Sequence, residues 1–440
     1  MLKPSRRSVL KGLAAGGLNL LLPGGLYAQN GPRRPSPNGK LRIAFVGVGG
    51  RGTAAVDGLA SEEFAAFCDV DANHAAGVFN KHPDVPRFKD FNEMLAKLGD
   101  TIDAVTVSTP DHTHFAIAMA AVKAGKHVYV EKPLCQTIDQ TRQLLAATTK
   151  AGVKTQMGNQ GHSSDTIRAL KELVAAGLIG DVKSVDAWTD RPAGWWPQGM
   201  AAAPQPAEVP GHLAWDLWRN GRDLPYSPEY LPFKWRGWTA WGCGALGDMA
   251  CHILDPFFFA FDPGMPEWIQ AEAEGGSNVA FPLKSTVTYH FPARPGRPAF
   301  DLVWRDGKGN LPNRPDALEH GREMGNKSGG TLIYAAKETV MTNSHAGMAS
   351  IIPEARAIAV PAPEKSLPRI AGSHFSNWTD AIRGTVPEAS SHFQYAAMLN
   401  ELVLLGVIAQ RIPGERLVYD ASTATFKNND RANHLVREVV

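Results

Sequence analysis

Residues 41–52 read Leu-Arg-Ile-Ala-Phe-Val-Gly-Val-Gly-Gly-Arg-Gly. The run Leu41 to Val46 suits a strand buried on both faces, and Arg51 to Ala60 has the 3.6-residue spacing of a helix. Between them the glycines have separate tasks. Gly47 permits the tight turn, Gly49 lets backbone approach a pyrophosphate, and Gly52 lets the helix pack closely. Gly50 and Arg51 complete the turn at the helix amino terminus, where unpaired N–H groups face phosphate. Asp69, 22 residues past Gly47, follows a second strand candidate, Phe64 to Cys68, where a carboxylate can bind the adenosine ribose hydroxyls. Asp71 is the alternative for that role. The pattern predicts a dinucleotide site, and the carboxylate favours NAD over NADP, whose extra phosphate it would repel.

Working outward, Ala104 to Val107 and His127 to Val130 are further strand candidates, with Phe115 to Ala124 helical between them. Lys154 to Gln160 holds a last such strand. Strand and helix in alternation predict right-handed parallel units and a doubly wound α/β sheet over residues 40–158. From 159 the character changes. A helix at Ile167 to Ala176, strands at Val182 to Thr189, Ser285 to Phe291 and Ala299 to Trp304, and helices at His374 to Arg383 and Gln394 to Gln410 predict a second, α+β domain over 159–440. Its sheet is expected to be large, open and mainly antiparallel. A Trp- and Pro-rich segment runs to Trp241, and a polar Gly-rich loop spans Asp306 to Gly330.

Three constellations carry chemistry. Ser108-Thr109-Pro110-Asp111-His112-Thr113-His114 sits at the carboxyl end of a parallel strand, where open sheets bind ligands. His112 and His114 have no Cys or acidic partner at a metal-site spacing, so they read as structural and no metal is expected. Glu131-Lys132-Pro133 closes the next strand, and a lysine there can hydrogen-bond a substrate hydroxyl and ease its deprotonation. In Gly242 to His252, a helix over 245–254 would put Asp248 and His252 on one face, the carboxylate raising the basicity of the imidazole; Pro256 should end that helix. Eight of the eleven tryptophans lie between Trp188 and Trp241, with Arg236 among them. Trp196 and Trp238 there could stack on sugar faces, although much of the cluster reads as loop packing.

The amino terminus reads Ser-Arg-Arg-Ser-Val-Leu-Lys over residues 5–11, then an uncharged stretch from Gly12 to Leu22, then Leu26-Tyr27-Ala28. That is the layout of a twin-arginine signal over 1–28, followed by a linker at 29–39. The apolar stretch is too short for a stable membrane anchor. Export through the twin-arginine translocase to the periplasm is the expectation. The net charge of +2 owes everything to this segment: without Lys3, Arg6, Arg7 and Lys11, 41 basic residues face 43 acidic ones. No basic stripe remains for nucleic acid, and a small neutral or weakly charged ligand fits better. Cys68, Cys135, Cys243 and Cys251 lack paired spacing and are expected to be free and buried.

The glycine turn, Ser-Thr-Pro with His114, Glu-Lys-Pro and Asp-x-x-x-His, in this order, resemble the Gfo/Idh/MocA family of glucose-fructose oxidoreductase and inositol dehydrogenase over about residues 40–425. The resemblance implies a homo-oligomer, dimer or tetramer, built on the open sheet. It implies a cofactor site from the glycine turn, Asp69, Ser108 to Pro110, His114, Glu131 and Lys132, with Asn159 approaching the nicotinamide. Lys132, Asp248 and His252 would be catalytic, His252 as acid/base; the Trp-rich insertion and the loop from Asp306 to Gly330 depart from the shorter members, so Trp196, Arg236 and Trp238 are substrate candidates from their residue types and not from the resemblance. The implied reaction oxidises a secondary alcohol of a sugar, glycoside or polyol. Export would require the NAD to be tightly bound, since soluble NAD is a cytoplasmic pool. Two alternatives stay open: a glycosidase or lyase that oxidises only transiently, and a non-catalytic nucleotide-binding protein.

Overall fold

The computed structural model describes residues 39–438. The twin-arginine segment 1–28 and nearly all of the 29–39 linker lie outside them. Two sheets organise the remainder. The first holds β1 (Arg42–Val46), β2 (Glu63–Cys68), β3 (Arg87–Phe88), β4 (Ala104–Val107), β5 (His127–Val130) and β6 (Thr155–Met157), all parallel, in the order β3-β2-β1-β4-β5-β6. All four residues of β4, three of them apolar, are buried because helices cover both faces. Val46 pairs with Cys68 on one side and Val107 on the other, so the three strands end level. That register brings Gly47, Asp69 and Ser108, each the next residue along, to one edge.

The second sheet holds β7 (Val182–Trp188), β8 (Trp268–Glu274), β9 (Lys284–Phe291), β10 (Phe300–Asp306), β11 (Gly330–Ala335), β12 (Thr339–Asn343), β13 (Ala349–Ile352), β14 (Arg416–Asp420) and β15 (Thr425–Phe426). Their order is β13-β12-β11-β7-β10-β9-β8-β14-β15, antiparallel throughout except for the parallel β7–β10 pair. In β9 and β10 burial alternates residue by residue, the mark of a sheet with one face on the core. The expected loop from 307 to 329 contains no strand or helix.

The chain does not keep the two sheets apart in sequence. The helix His374–Arg383 returns to the first sheet, where Phe375, Trp378 and Ala381 share a core with Ile43, Phe45, Val56 and Phe67. The apolar helix Phe393–Gln410 is long enough to cross a membrane, but 83% of that stretch is buried, and it packs on the helices Ile138–Ala151 and Gly244–Ile253 and on β8. All four cysteines are free and buried, as the sequence predicted.

Candidate active site

A cleft of about 600 Å³ opens along the level ends of β1, β2 and β4. Its walls include Gly47, Gly49, Gly50, Arg51, Asp69, Ser108, Thr109, Pro110, Glu131 and Lys132, together with Arg236 and Asp248 from the second domain. At three of its glycines the turn has no room for a side chain. At Gly47 the backbone is left-handed at φ +77°, and a Cβ on Gly52 would lie 1.9 Å from the Gly47 carbonyl oxygen. At Gly49 a Cβ would fall 2.2 Å from the ring of His74, a residue the sequence reading did not single out. Asp69 follows β2 as predicted, and its Oδ2 accepts the N–H groups of Val48 and Gly49 at 2.9 and 3.3 Å. Burial pushes its carboxyl up, and these N–H groups oppose the shift. A carboxylate has about four acceptor positions, so it keeps capacity for ribose hydroxyls. Asp71 is committed elsewhere: its Oδ1 takes the N–H groups of Asn73 and His74 and the His212 ring at 2.9 Å. A bare turn and a carboxylate beside it, at one edge, fit a dinucleotide.

Across the turn, the Arg51 guanidinium donates to Glu131 Oε1 at 3.1 Å, and Gln160 donates to the same oxygen at 3.0 Å. His114 lies beneath the cleft. Its ring nitrogens sit 2.8 Å from the Pro133 carbonyl and 2.9 Å from that of Thr109, so it ties the two motif loops together, and burial pushes it down to about 4. His112 places Nε2 2.6 Å from the Trp218 carbonyl. Both rings hydrogen-bond backbone carbonyls, which fits the structural reading of the residues, while His114, placed in the cofactor site by the resemblance, does not line the cleft.

The second constellation differs from its sequence reading. The helix does form, over Gly244–Ile253, and a new one starts at Asp255 with Pro256 in its first turn. Asp248, however, does not pair with His252. Its Oδ1 accepts from Lys132 Nζ at 2.8 Å and Arg236 Nε at 3.3 Å, and its backbone carbonyl accepts from the same Nζ at 2.7 Å. Burial would raise the Asp248 carboxyl, but Lys132, Arg236 and Arg191 outweigh it and hold it well below the usual carboxylate range. For His252 the direction is opposite to the one expected. Burial, then Lys132 and His345, push it well below an ordinary histidine, and Asp248 opposes them too weakly to reverse the sign. Its Nδ1 is sealed and unpartnered, and its ring lies 4.9 Å from that of His345, on the loop after β12.

Three further assignments move. Asn159 is fully buried, its carboxamide spent on Asp255 at 3.1 Å and Ser391 at 2.6 Å, so its side chain does not reach the cleft. Trp238 donates to the Glu229 carbonyl and lines a separate cavity behind the tryptophan cluster. Trp196 is buried as a wall beside Arg236, pinned by Gln198 at 2.8 Å. The aromatics exposed near Arg236 are Trp195 and Phe233. Asp111, also not singled out, sits under Lys132 and Arg236. It accepts the Cys243 N–H at 3.0 Å, and burial pushes it up to about 7. The tryptophan-rich segment also crosses the cleft. Near one side Ala214 donates to Val70 and Ala72 to His212, near the other Asn220 donates to His112, and Leu217, Trp218 and Gly221 line the space between.

Comparison with known proteins agrees with this geometry. Residues 41–159 match the model for the NAD-binding Rossmann fold of the Gfo/Idh/MocA oxidoreductase family, and residues 163–293 match that for its C-terminal alpha/beta domain. A glycosyl hydrolase family 109 protein from Saccharopolyspora erythraea is 31% identical over 57% of this chain and 54% of its own length. An inositol 2-dehydrogenase from Rubrobacter xylanophilus is 29% identical over 32% of this chain and 41% of its own. The chain thus spans about half the length of the curated relatives it matches. Among solved structures, the WlbA dehydrogenase of Bordetella pertussis, in complex with NADH and UDP-GlcNAcA, shares the fold with a TM-score of 0.60 at 17% identity, covering 87% of this chain and 99% of that one. The two family models together match more than half of the residues, and the chain therefore belongs to the Gfo/Idh/MocA oxidoreductases, with an NAD-binding Rossmann fold at its amino-terminal end.

Proposed function

We propose that this protein oxidises a secondary alcohol of a sugar, glycoside or polyol, using NAD that stays bound between turnovers. The observation that carries the reading is Lys132, whose ammonium is fixed in the cleft by the carboxylate and the carbonyl of one residue, Asp248. Those contacts use two of its three N–H bonds, leaving one for a substrate hydroxyl. Asp248 is the positioning residue, because its ion pair and carbonyl together set the direction of that bond. The donated hydrogen bond stabilises developing alkoxide, and His252, neutral at pH 7, accepts the hydroxyl proton. The glycine turn and Asp69 would hold the dinucleotide, which supplies the two-electron acceptor for the carbon-bound hydrogen. His345, its ring tilted against His252 at 4.9 Å, adds to burial and Lys132 in disfavouring the charged imidazolium.

Two features support retention of the cofactor. The segment 212–221, bonded near both sides of the cleft, lies over the route by which a dinucleotide would leave. The twin-arginine signal read at residues 5–11 would deliver the folded protein to a compartment without a free NAD pool. A second reading is favoured by the glycosyl hydrolase family 109 relative. In it the same oxidation is transient, a neighbouring bond is broken, and the sugar is reduced again with no net redox. Mixing purified protein with a sugar and glycoside panel, while following nicotinamide absorbance and released aglycone, separates these outcomes. Silence in both channels for every compound would overturn both and leave a nucleotide-binding protein.

A further inference from the structure

Arg191 is the charged side chain that the reaction leaves unused. It follows β7, is 8% exposed, and its Nε is sealed from solvent and unpartnered. Among the described residues its guanidinium has no acid at ion-pair distance. Instead its plane lies on Trp195, with the guanidinium carbon 3.6 Å from the ring centroid. Arg236 is held the same way, 3.8 Å over Phe233 and 4.1 Å over Trp235, and Trp196 stands between the two arginines, 5.9 Å from each. The acids nearby neutralise this pair only in part: Asp248 is ion-paired to Arg236 at 3.3 Å, and Asp248 and Asp190 reach Arg191 electrostatically without an ion pair to it. Asp248 is taken by Lys132 and Arg236, Asp111 is shifted to about 7, and Asp190 has an unpartnered Oδ1 of its own.

Burying a guanidinium without a counter-charge is costly, and fixing its plane by stacking leaves an N–H fork open to one side. Such a fork matches the oxygen pairs of carboxylate and phosphate. At the mouth, Trp195 and Phe233 stand 6.3 Å apart, 53% and 37% exposed, offering faces for the C–H side of a sugar ring. We propose that the substrate is an acidic sugar derivative, whose carboxylate or phosphate docks on Arg191 and Arg236 while its ring lies on Trp195 and Phe233 beside Lys132. This narrows the small neutral or weakly charged ligand that overall charge suggested, and it rests on the reading of the cleft as a sugar site.

Trp195, Trp196 and Trp235 surround both arginines, so tryptophan fluorescence reports binding directly. The protein as purified is titrated with neutral hexoses, the matching uronates and the matching hexose 6-phosphates, at low and high salt. At least one acid should bind about tenfold or more tightly than its neutral parent, with an advantage that shrinks as salt rises. Arg191→Met should remove that advantage, and Arg191→Lys should restore part of it. The uronate and phosphate arms tell which anion is recognised. Acids binding no better than neutral parents across the panel, or a preference that survives Arg191→Met, overturns the proposal. The wild-type comparison holds even where a variant fails to fold. Nicotinamide reduced by neutral sugars as readily as by acids would leave the oxidoreductase reading standing and remove this one. Arginine-dependent binding of acids with no redox change would do the reverse.

Discussion

Lys132 and Asp248 are 116 positions apart in sequence, yet the ammonium of one lies 2.8 Å from the carboxylate of the other and 2.7 Å from its carbonyl. Removing the ammonium should therefore cost more than removing its anchor. Lys132→Met should lower kcat by about a hundredfold or more, in the usual range for a positioned proton-transfer or hydrogen-bonding group. Asp248→Asn, which keeps the backbone carbonyl contact, should lower it by a smaller factor. Dinucleotide content of the purified variants, measured after denaturation, should match wild type in both.

His252 is held neutral by burial and by Lys132, so the base-competent form persists in acid. The acid limb of kcat/KM should fall at a pH clearly below about 6.5, the ordinary histidine value. Lys132→Met removes the second-largest cause of the shift and should move the limb upward. A limb at or above 6.5 in wild type would remove His252 from the role of base.

The glycine turn should be intolerant of even one methyl group. Gly52→Ala drives a Cβ against the Gly47 carbonyl at 1.9 Å, a backbone atom that cannot swing aside. It should destabilise the fold by about 1–3 kcal/mol in urea titrations and leave purified protein without dinucleotide.

Cofactor release should depend on the segment that crosses the cleft. His212→Ala removes the ring bond to Asp71, and Trp218→Ala removes a ring that both lines the cleft and packs 4.7 Å from His112. Each should speed NAD dissociation about tenfold, read as the loss of bound nicotinamide signal on dilution.

How far the sequence could be read depends on how local the cause is. The glycine turn, Asp69, β4 and β5 were legible because their residues answer to constraints within a few positions: a turn, a strand end, an apolar run. The helix around His112 begins at Asp111, four residues earlier than the apolar spacing suggested, because its polar first turn is buried under Trp218 and Trp241. Asp248 and His252 share a helix as expected, but a partner is chosen by the nearest charge, and the cation at 2.8 Å comes from another domain. His74 and His345 carry no local signal, since Gly49 and His252, which they pack against, lie far along the chain, while Arg191 stacks on Trp195 only four positions away but shows its want of an acid partner only in the fold. Asn159 was carried by resemblance, and the Asp255 and Ser391 contacts that hold its side chain away from the cleft lie 96 and 232 positions off.

Acid should unfold the protein by a route that its histidines set. His114 and His374 are pushed down by burial to about 4 and about 3, while in the unfolded chain each titrates near 6.5. Below 6.5 the unfolded state binds the extra protons, so stability is lost progressively as pH falls from 6.5 toward 4. Each such histidine contributes up to about 1.4 kcal/mol per pH unit over that window. Thermal unfolding followed from pH 7 to 4.5 should show a continuous decline, where a flat profile would show these rings to be solvated.

The most direct test of the central claim adds no cofactor at all. Freshly purified protein is mixed with the sugar, uronate and glycoside panel, and the absorbance of its own nicotinamide is followed in wild type and in Lys132→Met. The account predicts that at least one compound reduces the resident nicotinamide in wild type, lastingly or as a transient, while Lys132→Met stays unchanged. A nicotinamide that never changes redox state with any member, or one that changes equally in the variant, would contradict it.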